Sequence, residues 1–151
     1  MWAFSENWDA DEIRAHTLSA LLEMAETNYR RLMLLIPEID ELPQHSVSRV
    51  NRCLDLHLHI HDRWRYTTNI TLTYELEGLR EPDLTIRLYH DARCAEAMSA
   101  LLHRAGPLDA LHPRATLYQK WTLNRFLYKW LGYCIRRGHR FRPEAMALAD
   151  L

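Results

Sequence analysis

The sequence predicts an α+β fold: an antiparallel meander of about four strands, one face of which is covered by an N-terminal and a C-terminal helix. Three observations predict it. Apolar residues recur at the 3.6-residue period near both ends of the chain. Between them, from Ser46 to Tyr89, the period changes to two. The connections between the alternating runs are short, which suits antiparallel neighbours, and an apolar sheet face requires a cover that only the two helices can supply. The 151 residues are expected to form a single domain, 1–151, with 1–10 a loosely ordered start and 142–151 a tail.

Taken in order, Asp9 or Asp11 can cap a helix that runs to Leu35, either as one piece or as two joined near Thr17 to Ser19, where a hydroxyl could begin a second segment. Leu18, Leu21, Leu22, Ala25, Tyr29, Leu32 and Leu35 form its stripe, and Pro37 ends it. The stretch to Pro43 reads as a connection, and Val47 to Arg52 as a short strand. Leu54, Leu56, Leu58 and Ile60 then alternate with Asp55, His57, His59 and His61. A third run pairs Ile70, Leu72, Tyr74 and Leu76 with Thr71, Thr73 and Glu75, and a fourth pairs Leu84, Ile86 and Leu88 with Thr85, Arg87 and Tyr89. Beyond it the pattern weakens. Residues Glu96 to Leu102 read as helix or as irregular extended chain, and GPLDALHP, from Gly106 to Pro113, reads as a loop. The last helix begins near Thr116 and carries Leu117, Trp121, Leu123, Phe126, Leu127, Trp130, Leu131 and Cys134 on one face. Arg136 and Arg137 suit the negative end of its dipole, and Gly138 is a natural stop.

Composition narrows the function. With 19 basic and 20 acidic side chains, no global charge draws the chain to nucleic acid or to an anionic membrane. The compact basic run from Arg136 to Arg142 reads as helix-end charge followed by a solvated tail. No apolar run approaches the roughly 20 residues that span a bilayer, and MWAFSENWDADEIRAH has none of the marks of a secretory signal. Cys53, Cys94 and Cys134 are an odd number at wide spacing, which fits neither a disulfide framework nor a metal knuckle and points to a reducing cytoplasm.

The candidate site derives from the meander. Asp62, Tyr66, Thr67, Thr68, His90 and Asp91 fall at one end of the sheet. By parity Asp62 continues the apolar series from Leu54, and His90 continues the series from Leu84, so both should face the covered side, with Asp62 orienting His90. Such a pair serves general acid–base chemistry or metal ligation, or is simply a satisfied structural hydrogen bond. His90, Asp91 and Asp62 are therefore the catalytic candidates. Arg87 and Tyr89 on the polar face could receive an anion or serve as cross-strand partners, and Lys120 and Asn124, on the border of the last helix's apolar face, could reach the sheet end or simply flank the core. His57, His59 and His61 share one face of one strand and could hold zinc with Glu75 as a further ligand, but no cysteine or second His-x-His supports them, so no metal or other cofactor is expected.

The stretches NYRRLMLLIP (28–37), DRWRYTTNITL (62–72), LTIRLYHDARCAEAM (84–98) and NRFLYKWLGYC (124–134), in this order and spacing, resemble the YqiB-like family of uncharacterised bacterial proteins. The resemblance implies a cytoplasmic, single-domain protein of unknown function. It places the family's motif on Asp62, Arg65, Tyr66, Thr67, Arg87, Tyr89, His90, Asp91, Glu96, Lys120 and Asn124. The chain departs from the pattern at Tyr118 and Gln119, where the family has an acidic pair, and in its histidine run.

Together these readings favour a small binding or regulatory protein whose ligand or partner site lies at the sheet end, with Arg65 and Arg87 offering charge to a small anionic ligand or an acidic partner. The alternatives are a hydrolase acting on a phosphorylated or nucleotide-like small molecule with His90 as acid/base, and a structural assembly partner built on Trp2 and Trp8. Homo-oligomerisation is left open.

Overall fold

The computed structural model describes residues 17–102, 106–109 and 117–143; Trp2, Trp8, Asp9, Asp11 and residues 110–116 lie outside them. In chain order come helix α1 (Leu18–Leu35), a single 3-10 turn (Ile39–Glu41), strands β1 (His45–Ser48), β2 (Asp55–Arg63), β3 (Thr67–Leu76), β4 (Leu79–Tyr89), β5 (Cys94–Leu102) and β6 (Gly106–Asp109), and helix α2 (Leu117–Arg136). The described strands form one sheet in sequence order, antiparallel throughout. Among the described residues the expected meander has six strands, the four read from the sequence extended by β5 and β6. None of the described helices is long and apolar enough to cross a membrane.

The alternation read from the sequence decides which face is covered. Leu56, Leu58, Ile60, Ile70, Leu72, Leu84, Ile86 and Leu88 all face the helices and are buried, joined there by Leu32, Leu35, Leu127, Trp130 and Leu131. Each such side chain contributes about 1.5–3 kcal/mol by leaving water. On β5 the facing residues shrink to Ala95, Ala97 and Ala100. Small side chains let both helices close down on that strand, and α1 and α2 touch it as well as each other.

The short strand expected at 47–52 lies at His45–Ser48, and two further stretches differ from the sequence expectation for physical reasons. Residues 96–102 belong to a strand, but a bulge opposite Thr85 and Ile86 inserts Met98 and breaks the period-two signal. Residues 106–109 are an edge strand and not a loop, pairing Gly106 with Leu102 and Asp109 with Ser99. Pro107 is tolerated there because an edge strand leaves one side of its backbone without a ladder partner.

Thr17 caps α1, its Oγ1 accepting the Ala20 N–H at 3.2 Å, so a helix does start at the position where a second segment was allowed. At the far end of α2 the His139 N–H bonds the Cys134 carbonyl and the Gly138 N–H bonds that of Ile135. This is a Schellman closure, and Gly138 sits at φ +95° where a side chain would be strained. The closure turns the chain back, so the basic run is not a solvated tail. His139 and Phe141 are buried, and the Phe141 N–H bonds the Leu35 carbonyl at 2.8 Å, tying the two helix ends together.

His139 also makes a pH prediction. Its Nδ1 lies 2.9 Å from Ser48 Oγ, and burial holds the imidazole below its ordinary value of 6.5. Desolvation, followed by the charges of His45 and Arg80, lowers His59 as well. For both, the unfolded chain takes up the proton first as pH falls. Their contribution is complete above about pH 6.5 and is lost progressively below it. The expected result is a melting temperature that drops on acidification from about pH 7.5 to 5.5, with a shallower slope in His139→Gln; a flat or rising curve would contradict the neutral, buried imidazole.

Candidate functional site

The register brings one end of the sheet together as the meander requires. Arg63 pairs with Thr68, Thr67 with Tyr89, and Tyr89 with Cys94. The ends of β2 and β4 and the starts of β3 and β5 therefore meet there, linked by two turns, Trp64–Tyr66 and His90–Arg93. The Trp64 N–H bonds the Thr67 carbonyl at 2.7 Å, which closes the first turn. The His90 N–H bonds the Tyr66 carbonyl at 2.8 Å, which locks the two turns to each other.

His90 does face the covered side, but its partners are not the expected ones. Its Nδ1 lies 3.0 Å from the Tyr29 hydroxyl on α1, and its Nε2 lies 2.8 Å from Thr68 Oγ1 on β3. Both ring nitrogens are thus occupied by hydroxyls. Desolvation raises the Tyr29 phenol above its ordinary range, against the lowering effect of Arg93, whose guanidinium sits over the ring at 5.5 Å. Thr68 is only 1% exposed, so it cannot serve as a nucleophile that His90 would activate. The triad pins α1 to the sheet end.

Asp62 does not orient His90. The ladder passes from the Ile60–Ile70 pair directly to Asp62–Asn69, so His61 is the extra residue of a bulge. That one residue flips the parity of the rest of the strand. Asp62 lands on the open face, where its carboxylate accepts from Asn69 Nδ2 at 2.6 Å. Arg63 turns to the covered face instead, donating to the carbonyls of Ile39 and Leu42.

The open face carries a polar ladder. Asn69 Oδ1 accepts from Arg87 Nε at 2.9 Å, and the Tyr89 hydroxyl donates to Glu96 Oε1 at 2.7 Å. Desolvation, reinforced by Glu96, raises the Tyr89 phenol. Arg87 stands opposite Glu96 in the register. Asp62 and Arg87 are therefore joined through Asn69, and Tyr89 and Glu96 to each other, along one face.

Lys120 and Asn124 lie elsewhere. With Glu96 they help line a cleft of about 300 Å³ beside the first turns of the two helices, whose apolar wall is Leu18, Leu21, Leu22, Ala25 and Leu117. Asn124 is buried and structural. Its Oδ1 accepts the Ala97 N–H at 2.8 Å, its Nδ2 donates to the Lys120 carbonyl, and its own carbonyl accepts from the buried Asn28. The part of β5 it serves is not reached by β6, whose pairing starts at Ser99. Asn124 thus supplies the acceptor that the Ala97 N–H lacks among the described strands.

Exposed at the sheet end are Arg63, Arg65, Tyr66, Asp91, Ala92 and Arg93, together with Trp64. Trp64 is 70% and Tyr66 51% exposed, and the Arg65 guanidinium lies 5.1 Å from the Tyr66 ring centre. Trp64 was absent from the residues singled out in the sequence. Its place between two charged residues at a strand-to-strand turn was the available signal. Thr67 is half-buried behind it as the first residue of β3.

Of the histidine run, His61 leaves the set at the bulge and pairs with Thr71 Oγ1. His57 and His59 stay on the open face and are joined there by His45 of β1, the three forming a cluster of metal-ligating side chains among the described residues.

Comparison with known proteins bears on this arrangement as a whole. Residues 31–140 match the sequence profile of a family described as "Protein of unknown function (DUF1249)". The chain belongs to that family. It is also similar to the uncharacterised protein YqiB of Escherichia coli K12, 32% identical over 124 residues that cover 78% of this chain and 88% of YqiB. The same protein in the O6:H1 and O157:H7 strains matches equally well. No solved structure matches. The family span includes His90 and its partner Thr68, the Trp64–Tyr66 turn and Asn124, while Tyr29 and most of α1 precede it and Phe141 follows it.

Proposed function

We propose that this DUF1249 protein is a cytoplasmic binding protein, and that its working surface is the sheet end built from the Trp64–Tyr66 turn and Arg93. The observation that carries the reading is Trp64, 70% exposed on a turn whose backbone is tied down on both sides. An aromatic ring in water on a hydrogen-bonded turn costs solvation and gains nothing for the fold, whereas aromatics flanked by arginine are the residues that dominate protein interfaces. Arg65 and Arg93 against Asp91 make the tip complementary to an acidic protein surface with an apolar slot for the indole. The cytoplasmic placement rests on the three cysteines, all thiols, with burial pushing that of Cys134 up to about 12.

The test is site-specific photocrosslinking in the host cell. A photoreactive residue at position 64 is expected to give one discrete protein adduct that disappears when Arg65→Glu is added. The same residue at Leu34, which is 63% exposed on α1, gives none. The same adducts from positions 64 and 34, or an adduct indifferent to Arg65→Glu, would count against the surface.

A further inference from the structure

We propose that His45, His57 and His59 form a binding site for one first-row divalent ion of the zinc type on the open face of the sheet. The site is built by register. His45 stands opposite His59 across the β1–β2 ladder, and Val47 stands opposite His57, so His45 is also the diagonal neighbour of His57. All three imidazoles project from the face that the described helices do not cover.

Their ligand atoms already lie close together. One nitrogen from each ring falls within 4.8 Å of the others, and His45 Nε2 is 3.0 Å from His57 Nδ1. A tetrahedral zinc ion held at about 2.0–2.1 Å by each nitrogen needs them roughly 3.3 Å apart. One pair is therefore near its required spacing, and the third nitrogen needs a shift on the order of an ångström. The rings lie nearly parallel, His45 on His59 at 4.4 Å and 2°, and His45 on His57 at 5.2 Å and 11°. Closing on an ion requires them to tilt until their in-plane lone pairs converge. His45 is exposed on the edge strand β1 and is free to make that turn.

A second observation points the same way. While Nδ1 of His57 faces the cluster, its Nε2 lies 3.7 Å from Glu75 Oε2, and Glu75 is held in turn by Arg80 Nε at 3.7 Å. A carboxylate behind the distal nitrogen of an imidazole is the support that fixes the ring of a metal-bound histidine and raises its basicity. The carboxylate stands behind the ligand. An all-imidazole set selects zinc, nickel or copper over magnesium and calcium, and three protein ligands leave a position for water.

His61 supplies the internal control, because it is two residues from His59 and exposed, yet its Nε2 is engaged by Thr71 Oγ1 and it lies outside the cluster of three. Calorimetric titration of the tag-free chain with zinc chloride is expected to saturate at one ion. His45→Ala, His57→Ala and His59→Ala should each weaken binding at least about tenfold, and Glu75→Gln by about tenfold, while His61→Ala leaves it unchanged. His45→Ala, at an exposed edge position, decides the matter even where a β2 variant fails to fold. Binding that does not saturate at one ion, or that falls as much in His61→Ala as in His45→Ala, overturns the proposal.

Discussion

Phe141→Ala is expected to lower the unfolding free energy by about 3–5 kcal/mol, the range for truncating a buried aromatic ring. The ring is 2% exposed and belongs to the same core as Leu35, Leu56 and Trp130. Its position is over-determined. The Schellman closure at Gly138 reverses the chain, Ser48 Oγ accepts the Arg140 N–H at 3.1 Å, and the Phe141 N–H reaches the last residue of α1. With the backbone held at three points, the structure cannot collapse into the space the ring leaves, so the cavity penalty adds to the lost transfer energy. Denaturant unfolding monitored by tryptophan fluorescence checks this. A loss below about 1 kcal/mol, the scale of a surface change, would mean that the segment after α2 is the solvated tail its charge suggests.

The second large effect concerns Asn124. Asn124→Ala removes the acceptor of the buried Ala97 N–H and the donor to the Lys120 carbonyl. An unmade hydrogen bond at a buried backbone donor costs about 1–3 kcal/mol, and truncation opens a small cavity besides. The expected total is about 2–3 kcal/mol. Native-state hydrogen exchange should show the protection of Ala97 falling by more than the global change. An Asn124→Asp variant keeps the Oδ1 acceptor but places a carboxylate in a buried site, so it should be no better than alanine near neutral pH. If Asn124→Ala leaves stability intact, the residue belongs to the adjoining cleft and the clasp is incidental.

How much of this could be read from residues alone depends on where the periodicity was clean. Leu56 to Ile60, Ile70 to Tyr74 and Leu84 to Leu88 carry unbroken alternation, and those strands form in sequence order with the predicted face covered, whereas Leu54 precedes β2 and is exposed. Where a bulge intervenes the signal fails, because one inserted residue exchanges the faces and leaves no mark in composition. Met98 hid β5 in this way. His61 sent Asp62 to the open face and replaced the expected Asp62–His90 pair by Tyr29, Thr68 and His90. Tyr29 was legible only as core, since its hydroxyl's partner lies 61 residues further on. His45 fell outside the short strand expected at 47–52, so the histidine cluster could not be assembled from the run 57, 59, 61 alone.

The division of labour across the molecule is the proposal on which the rest stands: the helix-covered face holds the fold, and the Trp64–Tyr66 tip is the surface proposed to meet a partner. The most direct measurement is the thermal unfolding of Trp64→Ser with Arg65→Glu, followed by the crosslinking readout in Arg65→Glu. Exposed side chains with no packing role shift stability by no more than about 0.5 kcal/mol. The double variant is therefore expected to melt within a few degrees of the parent, while the adduct at position 64 is lost in Arg65→Glu. A melting temperature that collapses in the double variant, with the adduct persisting in Arg65→Glu, would show the tip to be a structural element and contradict the assignment.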